Sequence, residues 1–151
     1  MRVSELMSRD VVTIADTGTC HEVIEQMCRR RVRHLPVLDR EGALVGIVTD
    51  RDVRHRMFAP DVYRQIGQFS VSTLLQQAPV RAVMSAPVRC ITATADLAEA
   101  ADRMRREKVG CLPVVEGGRV VGMLTEIDVL RSIVGTEAPE RPELDIVISY
   151  P

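Results

Sequence analysis

One stretch of this chain occurs twice. Residues 44–54 read Leu-Val-Gly-Ile-Val-Thr-Asp-Arg-Asp-Val-Arg, and residues 120–130 read Val-Val-Gly-Met-Leu-Thr-Glu-Ile-Asp-Val-Leu. Each copy is preceded by Leu-Pro-Val, at 35–37 and 112–114, and further upstream by Met-Ser, at 7–8 and 84–85. The offset is 77 residues at the methionines and 76 at Gly46 and Gly122, so one residue is lost between them, near Glu41-Gly42. Self-similarity held in register over such a span marks an internal duplication, which limits the fold to two copies of one unit. Each copy has about 55 residues, and a unit of that size buries too little surface to be comfortably stable alone. The two copies must pack on each other.

Each copy reads as strand, helix, strand, strand, helix. Residues 11–14 are short and β-branched, which predicts a strand. Cys20, Val23, Ile24 and Met27 fall at helical spacing behind Thr19 as N-cap, with Arg29-Arg30-Arg31 at the negative end of the helix dipole. The second copy repeats this with Leu97, Ala100, Ala101 and Met104 behind Asp96. Residues 34–38 and 111–115 predict short strands, and residues 39–42 and 116–118 predict hairpin turns, the second supplied with Gly117 and Gly118 for positive φ. The return strands, 43–48 and 119–124, are apolar enough to be buried on both faces. Helices follow from Thr49 and Thr125. The expected division is therefore a first repeat at 1–57, a linker at 58–79, a second repeat at 80–134 and a tail at 135–151. The linker holds Phe58, Tyr63 and Phe69, three of the four aromatic residues, which predicts a partly helical, docked segment. Gly135, Pro139 and Pro142 exclude a long helix in the tail, which also carries the apolar triplet Ile146-Val147-Ile148.

Twenty basic against 21 acidic residues leave a net charge of −1, which gives no general attraction to nucleic acid or to a membrane surface. The run Cys28-Arg29-Arg30-Arg31-Val32-Arg33 reads as a solvated helix end rather than a nucleic-acid patch. No apolar stretch is long enough to span a bilayer, and charges at Arg2, Glu5, Arg9 and Asp10 interrupt any secretory core. Cys20, Cys28, Cys90 and Cys111 form no CxxC pair and no disulfide spacing, so a cytoplasmic protein with reduced thiols and no metal is expected. His21, His34 and His55 lack zinc-ligand spacing. No residues are ordered as nucleophile, base and orienter, so no enzymatic activity is expected.

The chemistry concentrates in Gly46-x-x-Thr49-x-x-Asp52 and Gly122-x-x-Thr125-x-x-Asp128. Thr-x-x-Asp at a helix start has a purely structural reading as a capping box. It also has a functional one. A helix N-terminus suits a phosphate, a threonine hydroxyl can donate to a phosphate oxygen, and a carboxylate one turn on can accept both hydroxyls of a ribose. A glycine just before lets backbone approach closely.

These motifs, each preceded by Leu-Pro-Val, resemble the CBS domain, and the pair resembles the tandem CBS or Bateman module, over roughly residues 3–57 and 80–134. The resemblance implies an α/β fold of two pseudo-symmetric β-α-β-β-α repeats packed sheet to sheet into one module, with two ligand clefts between them. It implies a regulatory function in which binding of AMP, ADP or ATP, or alternatively S-adenosylmethionine or an NAD-like molecule, changes conformation or partner affinity. No cofactor is required. By the same resemblance the first site comprises Thr13, Ile14, Arg33, His34, Pro36, Gly46, Thr49, Arg51 and Asp52. The second comprises Cys90, Ile91, Gly110, Cys111, Pro113, Gly122, Thr125 and Asp128. The first carries more cations, since Ile127 stands where Arg51 does and Gly110-Cys111 where Arg33-His34 do. The alternative is a structural module that dimerises without ligand. Pairing into a homodimer is expected in either case, because Val53, Met57, Phe58, Val129, Leu130 and Ile133 exceed what a small half can bury, and the tail triplet adds to them. The effector protein is not named by the sequence.

Overall fold

The computed structural model describes residues 1–135. The predicted tail triplet lies outside them. In chain order the elements are α1 (Val3–Leu6), β1 (Ile14–Ala15), α2 (Cys20–Arg30), β2 (His34–Leu38), β3 (Leu44–Thr49), α3 (Asp50–Met57), α4 (Pro60–Tyr63), α5 (Val71–Gln77), a 3-10 turn at Val80–Ala82, α6 (Leu97–Glu107), β4 (Cys111–Glu116), β5 (Arg119–Thr125) and α7 (Glu126–Val134). The two halves follow the same order, and each builds its own sheet: β1-β2-β3 in the first, β4-β5 in the second.

The expected first strand is shorter than its β-branched run. β1 pairs with β2 in parallel over only Ile14–Val37 and Ala15–Leu38, and in the second half the equivalent residue, Ile91, makes a single bridge to Val114. Proline explains the shortening. Ile91 N–H donates to Pro113 O at 3.0 Å, and Val115 N–H donates to Ile91 O at 2.9 Å. The nitrogen of Pro113 faces that same neighbour but carries no hydrogen, so the ladder cannot extend one step further back. Pro36 stands at the matching place in β2 and limits β1 in the same way. The return strands are less buried than their sequence implies: in β3 only Gly46 and Val48 are fully covered.

The two cores exchange their leading segments. Val3 and Met7 pack among Ile91, Ala100, Met104, Leu112 and Leu124 of the second half. Val80, Val83 and Met84 pack against Val23, Leu35, Val37 and Val48 of the first. The hydrogen bonds obey the same pseudo-symmetry: Val3 N–H to Ala95 O and Val80 N–H to Gly18 O are both 2.9 Å. Ser8 exchanges a pair of bonds with Met123, and Ser85 does so with Ile47. The buried Asp16 adds an ion pair to Arg81, tying the Val80–Met84 segment to the first half. Each repeat is thus completed by the residues that lead into the other, which couples two units too small to stand alone.

The exchange explains the motif glycines. A Cβ at Gly46 would overlap Met84 Sδ, and one at Gly122 would overlap Met7 Sδ. The space that glycine leaves is filled by a methionine thioether from the exchanged segment rather than by a ligand.

The linker is helical in part, as α4 and α5, and α5 packs on α2. Val62 and Leu74 bury themselves to dock it, whereas Phe58, Tyr63 and Phe69 are 72%, 59% and 49% exposed. The aromatic residues are not what holds the linker down. Val53 lies inside its own core at 2% exposure, so of the residues expected to exceed the core's capacity it does not; Phe58, Leu130 and Ile133 do.

Candidate functional site

Both Thr-x-x-Asp motifs form capping boxes. Thr49 N–H and the Thr49 hydroxyl donate to Asp52 Oδ2 at 2.8 and 2.9 Å, and Asp52 N–H donates to Thr49 Oγ1 at 3.2 Å. In the second half the same three bonds measure 2.9, 2.6 and 3.3 Å between Thr125 and Asp128. Thr19 and Glu22 cap α2 in the same manner. The structural reading of the motif is therefore realised twice. It also narrows what a ligand can use. Asp50 N–H donates to Arg33 O at 3.2 Å and Asp52 N–H serves Thr49, so among the first three amides of α3 only that of Arg51 is open, as far as the described residues go.

The halves differ at the second carboxylate oxygen. Asp128 Oδ1 lies 3.9 Å from Arg131. Asp52 Oδ1 has no hydrogen bond or ion pair among the described residues, and Asp52 lines a cleft of about 850 Å³ formed by both halves. Thr125 and Asp128 line neither this cleft nor the smaller cavity of about 280 Å³ beside Cys90, Ile91, Thr92 and Arg103.

From the first half the large cleft takes Arg33, His34, Ile47, Thr49, Asp50, Arg51, Asp52 and Arg54. From the second it takes Val109, Gly110, Cys111, Glu126, Val129 and Leu130, together with Arg89, Arg105 and Lys108. Residues expected in two separate sites, Arg33 and His34 with Gly110 and Cys111, thus face one space. Thr13, Ile14, Pro36, Gly46, Pro113 and Gly122 lie away from it, while Cys90 and Ile91 belong to the smaller cavity.

The cleft is cationic on a chain that is not. Six cations line it against three carboxylates, although the whole chain carries a net charge of −1. Arg54, Arg89 and Arg105 are held by Asp50, Glu107 and Asp102 respectively. Arg33, Arg51 and Lys108 have no acidic partner among the described residues. Low-dielectric walls concentrate such a field on an anion. Arg89, Arg105 and Lys108 escaped the sequence reading because they lie outside the motifs, and no local signal in the sequence marks them.

His34 and Cys111 occupy equivalent places at the starts of β2 and β4. Burial, and next the Arg33 guanidinium, hold His34 below the ordinary imidazole value against the opposing pull of Asp50, Glu126 and Asp52. Burial, reinforced by Glu126 and Asp52, pushes the Cys111 thiol up to about 12. Cys111 is therefore a protonated, apolar part of the wall at neutral pH, not a thiolate nucleophile. No group of three or more His, Cys, Asp or Glu among the described residues is placed to hold a metal ion, and no described helix is long and apolar enough to cross a membrane.

Comparison with known proteins matches this architecture. A CBS domain-containing protein of Dictyostelium discoideum is 32% identical over 149 residues, which covers 93% of this chain and 97% of that one. An uncharacterised protein of Methanocaldococcus jannaschii, MJ1404, is 27% identical over 146 residues, but the chain spans only 35% of its length. Inosine-5′-monophosphate dehydrogenase of Mycobacterium tuberculosis is 34% identical over 127 residues, a match confined to 21% of that enzyme. Among solved structures, MJ1225 of Methanocaldococcus jannaschii, described as an archaeal homolog of γ-AMPK, superposes with a TM-score of 0.79 at 27% identity, covering 87% of this chain and 47% of that one. The CBS domain pair of MJ0100, in complex with 5′-methylthioadenosine and S-adenosyl-L-methionine, superposes with a TM-score of 0.75 at 22% identity over 91% of this chain and 98% of that one. The CBS domain family itself matches twice, at residues 3–59 and 80–135, and the chain belongs to that family as a tandem pair.

Proposed function

We propose that this CBS pair is a regulatory module whose central cleft binds an adenine nucleotide carrying two or more phosphates. One observation carries the reading: the cleft is lined by three cations, Arg33, Arg51 and Lys108, that have no acidic partner among the described residues, and by Asp52, whose Oδ1 likewise has none among them. The carboxylate suits the ribose diol. The open Arg51 amide, with the unpaired Arg33, Arg51 and Lys108, suits the phosphates. The MJ0100 pair binds 5′-methylthioadenosine and S-adenosyl-L-methionine, and CBSX2, at 23% identity, binds AMP. Those likenesses speak to the fold alone, and the choice of ligand rests on charge. A cationic sulfonium is disfavoured where cations already exceed anions, and a polyphosphate is favoured.

The cations come from both halves, so an occupied cleft ties the halves together. A ligand of this kind shifts their relative angle only as far as it binds one arrangement better than another, and that shift is the regulatory output to an effector protein. A homodimer supplies the second surface. Ile127, Leu130 and Val134 form one stripe on α7, exposed by 39%, 54% and 71%, and such a stripe is the usual mark of an interface. It also supports the rival reading of a dimerisation module that works without ligand. The two separate on one experiment: titration calorimetry of ATP with the wild type and with Asp52→Ala. The nucleotide reading expects binding that weakens at least tenfold in the variant. Affinity unchanged by the substitution, or no binding at all, would refute it.

A further inference from the structure

We propose that nucleotide binding in the central cleft takes up a proton, and that His34 is the group that receives it. The inference rests on the nucleotide reading and concerns how that site is regulated. The antiparallel register places His34 directly opposite Thr49, the cap of α3, so a phosphate at the open Arg51 amide stands beside the imidazole. His34 is half-buried and lines the cleft, and its ring makes no hydrogen bond among the described residues. The charged groups acting on it are Arg33 from β2, Asp50 and Asp52 from α3, and Glu126 from α7. Arg51, Arg54, Arg89, Arg105 and Lys108 line the rest of the space. Cys111 shares the wall but stays protonated throughout the neutral range. Among the described residues of the cleft, His34 is thus the one histidine, the side chain whose ordinary titration range lies nearest neutral pH.

The direction follows from what surrounds the ring before and after binding. Without ligand, burial and Arg33 outweigh the three carboxylates and keep the imidazole neutral at pH 7. A phosphate brings roughly −1.5 to −2 charges, and an unpaired imidazole beside it gains from becoming imidazolium. Binding therefore raises the imidazole's pKa. Affinity climbs as pH falls through the bound-state value and levels off below the ligand-free one. A module of this kind reads acidification and nucleotide level together, because His34 couples the two.

Two measurements test this with ADP as the probe. In the first, the His34 ring signals are followed by NMR from about pH 8 to about pH 5.5 with and without ADP. The expected result is a rise of at least about one unit in the His34 titration, with His21 and His55, which lie outside the cleft, unmoved. In the second, ADP is titrated calorimetrically at about pH 6.5 into wild type and His34→Gln, in buffers of different ionisation enthalpy. ADP's own protons contribute equally to both proteins, so the wild type should show the larger uptake. Binding with the His34 titration unmoved, or with equal proton uptake in the two proteins, overturns this inference and leaves the nucleotide reading standing. Absence of binding by AMP, ADP and ATP alike overturns the nucleotide reading and this inference with it.

Discussion

Asp52 and Asp128 are the same residue twice, in the same capping box, and substitution should separate what capping needs from what a ligand needs. Asp52→Ala removes the acceptor for Thr49 N–H and its hydroxyl. Asp128→Ala removes the acceptor for Thr125 N–H and its hydroxyl. Thr49 and Thr125 still cap their helices, so what is lost is the acceptor half of the box, about 0.5–1.5 kcal/mol, and a negative charge in the first helical turn, about 0.3–1 kcal/mol more. Both sites are only half-buried, so water repairs part of the damage, and about 1–2 kcal/mol is expected for each. In a chain of this length that is roughly 2–8 °C in Tm. Binding should divide them. Asp52 lines the cleft with Oδ1 open, whereas Asp128 lies outside it beside Arg131. A charge-assisted hydrogen bond contributes about 1.5–3 kcal/mol, so Asp52→Ala should lose at least about tenfold in nucleotide affinity while Asp128→Ala loses almost none. Thermal unfolding monitored by circular dichroism gives the first quantity and titration calorimetry the second. Equal losses of affinity in the two variants would show that the effect travels through the helices and not through a contact in the cleft.

Two further expectations follow from the exchange and from the exposed helix. Gly46→Ala should destabilise by about 1–3 kcal/mol through overpacking against Met84. Pairing it with Met84→Ala should cost less than the sum of the two single changes, and strict additivity in urea unfolding would refute the contact. Gly122→Ala should cost more than Gly46→Ala, because its added Cβ also meets the Ser8 carbonyl at 3.2 Å, which cannot rotate away. Sedimentation equilibrium at micromolar concentration should return about twice the chain mass of 16.8 kDa; a mass near one chain would refute the dimer, and Val134→Glu should shift a true dimer towards monomer.

The repeat made most of the architecture legible. Met7-Ser8 and Met84-Ser85, Leu-Pro-Val, and the Gly-x-x-Thr-x-x-Asp motifs recur at one spacing, and the structure places each pair equivalently. The threonine caps and the glycine turns were legible for the same reason: their chemistry is local. What the sequence hides is which half a segment serves. Nothing in Met7 says that it fills the space over Gly122 instead of Gly46, because a chain that exchanges its leading segments and one that does not share the same hydrophobic pattern. The cleft was legible only on one side for a related reason. Arg51 stands inside the motif, but Arg89, Arg105 and Lys108 reach the same space from the segment leading into α6, from α6 and from its C-cap, and only the packing of the halves brings them there. The linker aromatics misled because apolar character shows that a residue can be buried, not that it is; Val62 and Leu74 take the available sites.

The central claim is that the cleft selects an adenine nucleotide by its phosphates, and a titration series of adenosine, AMP, ADP and ATP against the wild-type protein tests it most directly. With three unpaired cations partly exposed to water, each phosphate should add about 0.5–1 kcal/mol, or roughly two- to fivefold in affinity, and the gain should shrink as salt screens the field. Affinity that rises from adenosine to ATP and flattens in high salt is the predicted result. Equal affinity across the series, or tighter binding of S-adenosylmethionine than of ATP, would contradict it.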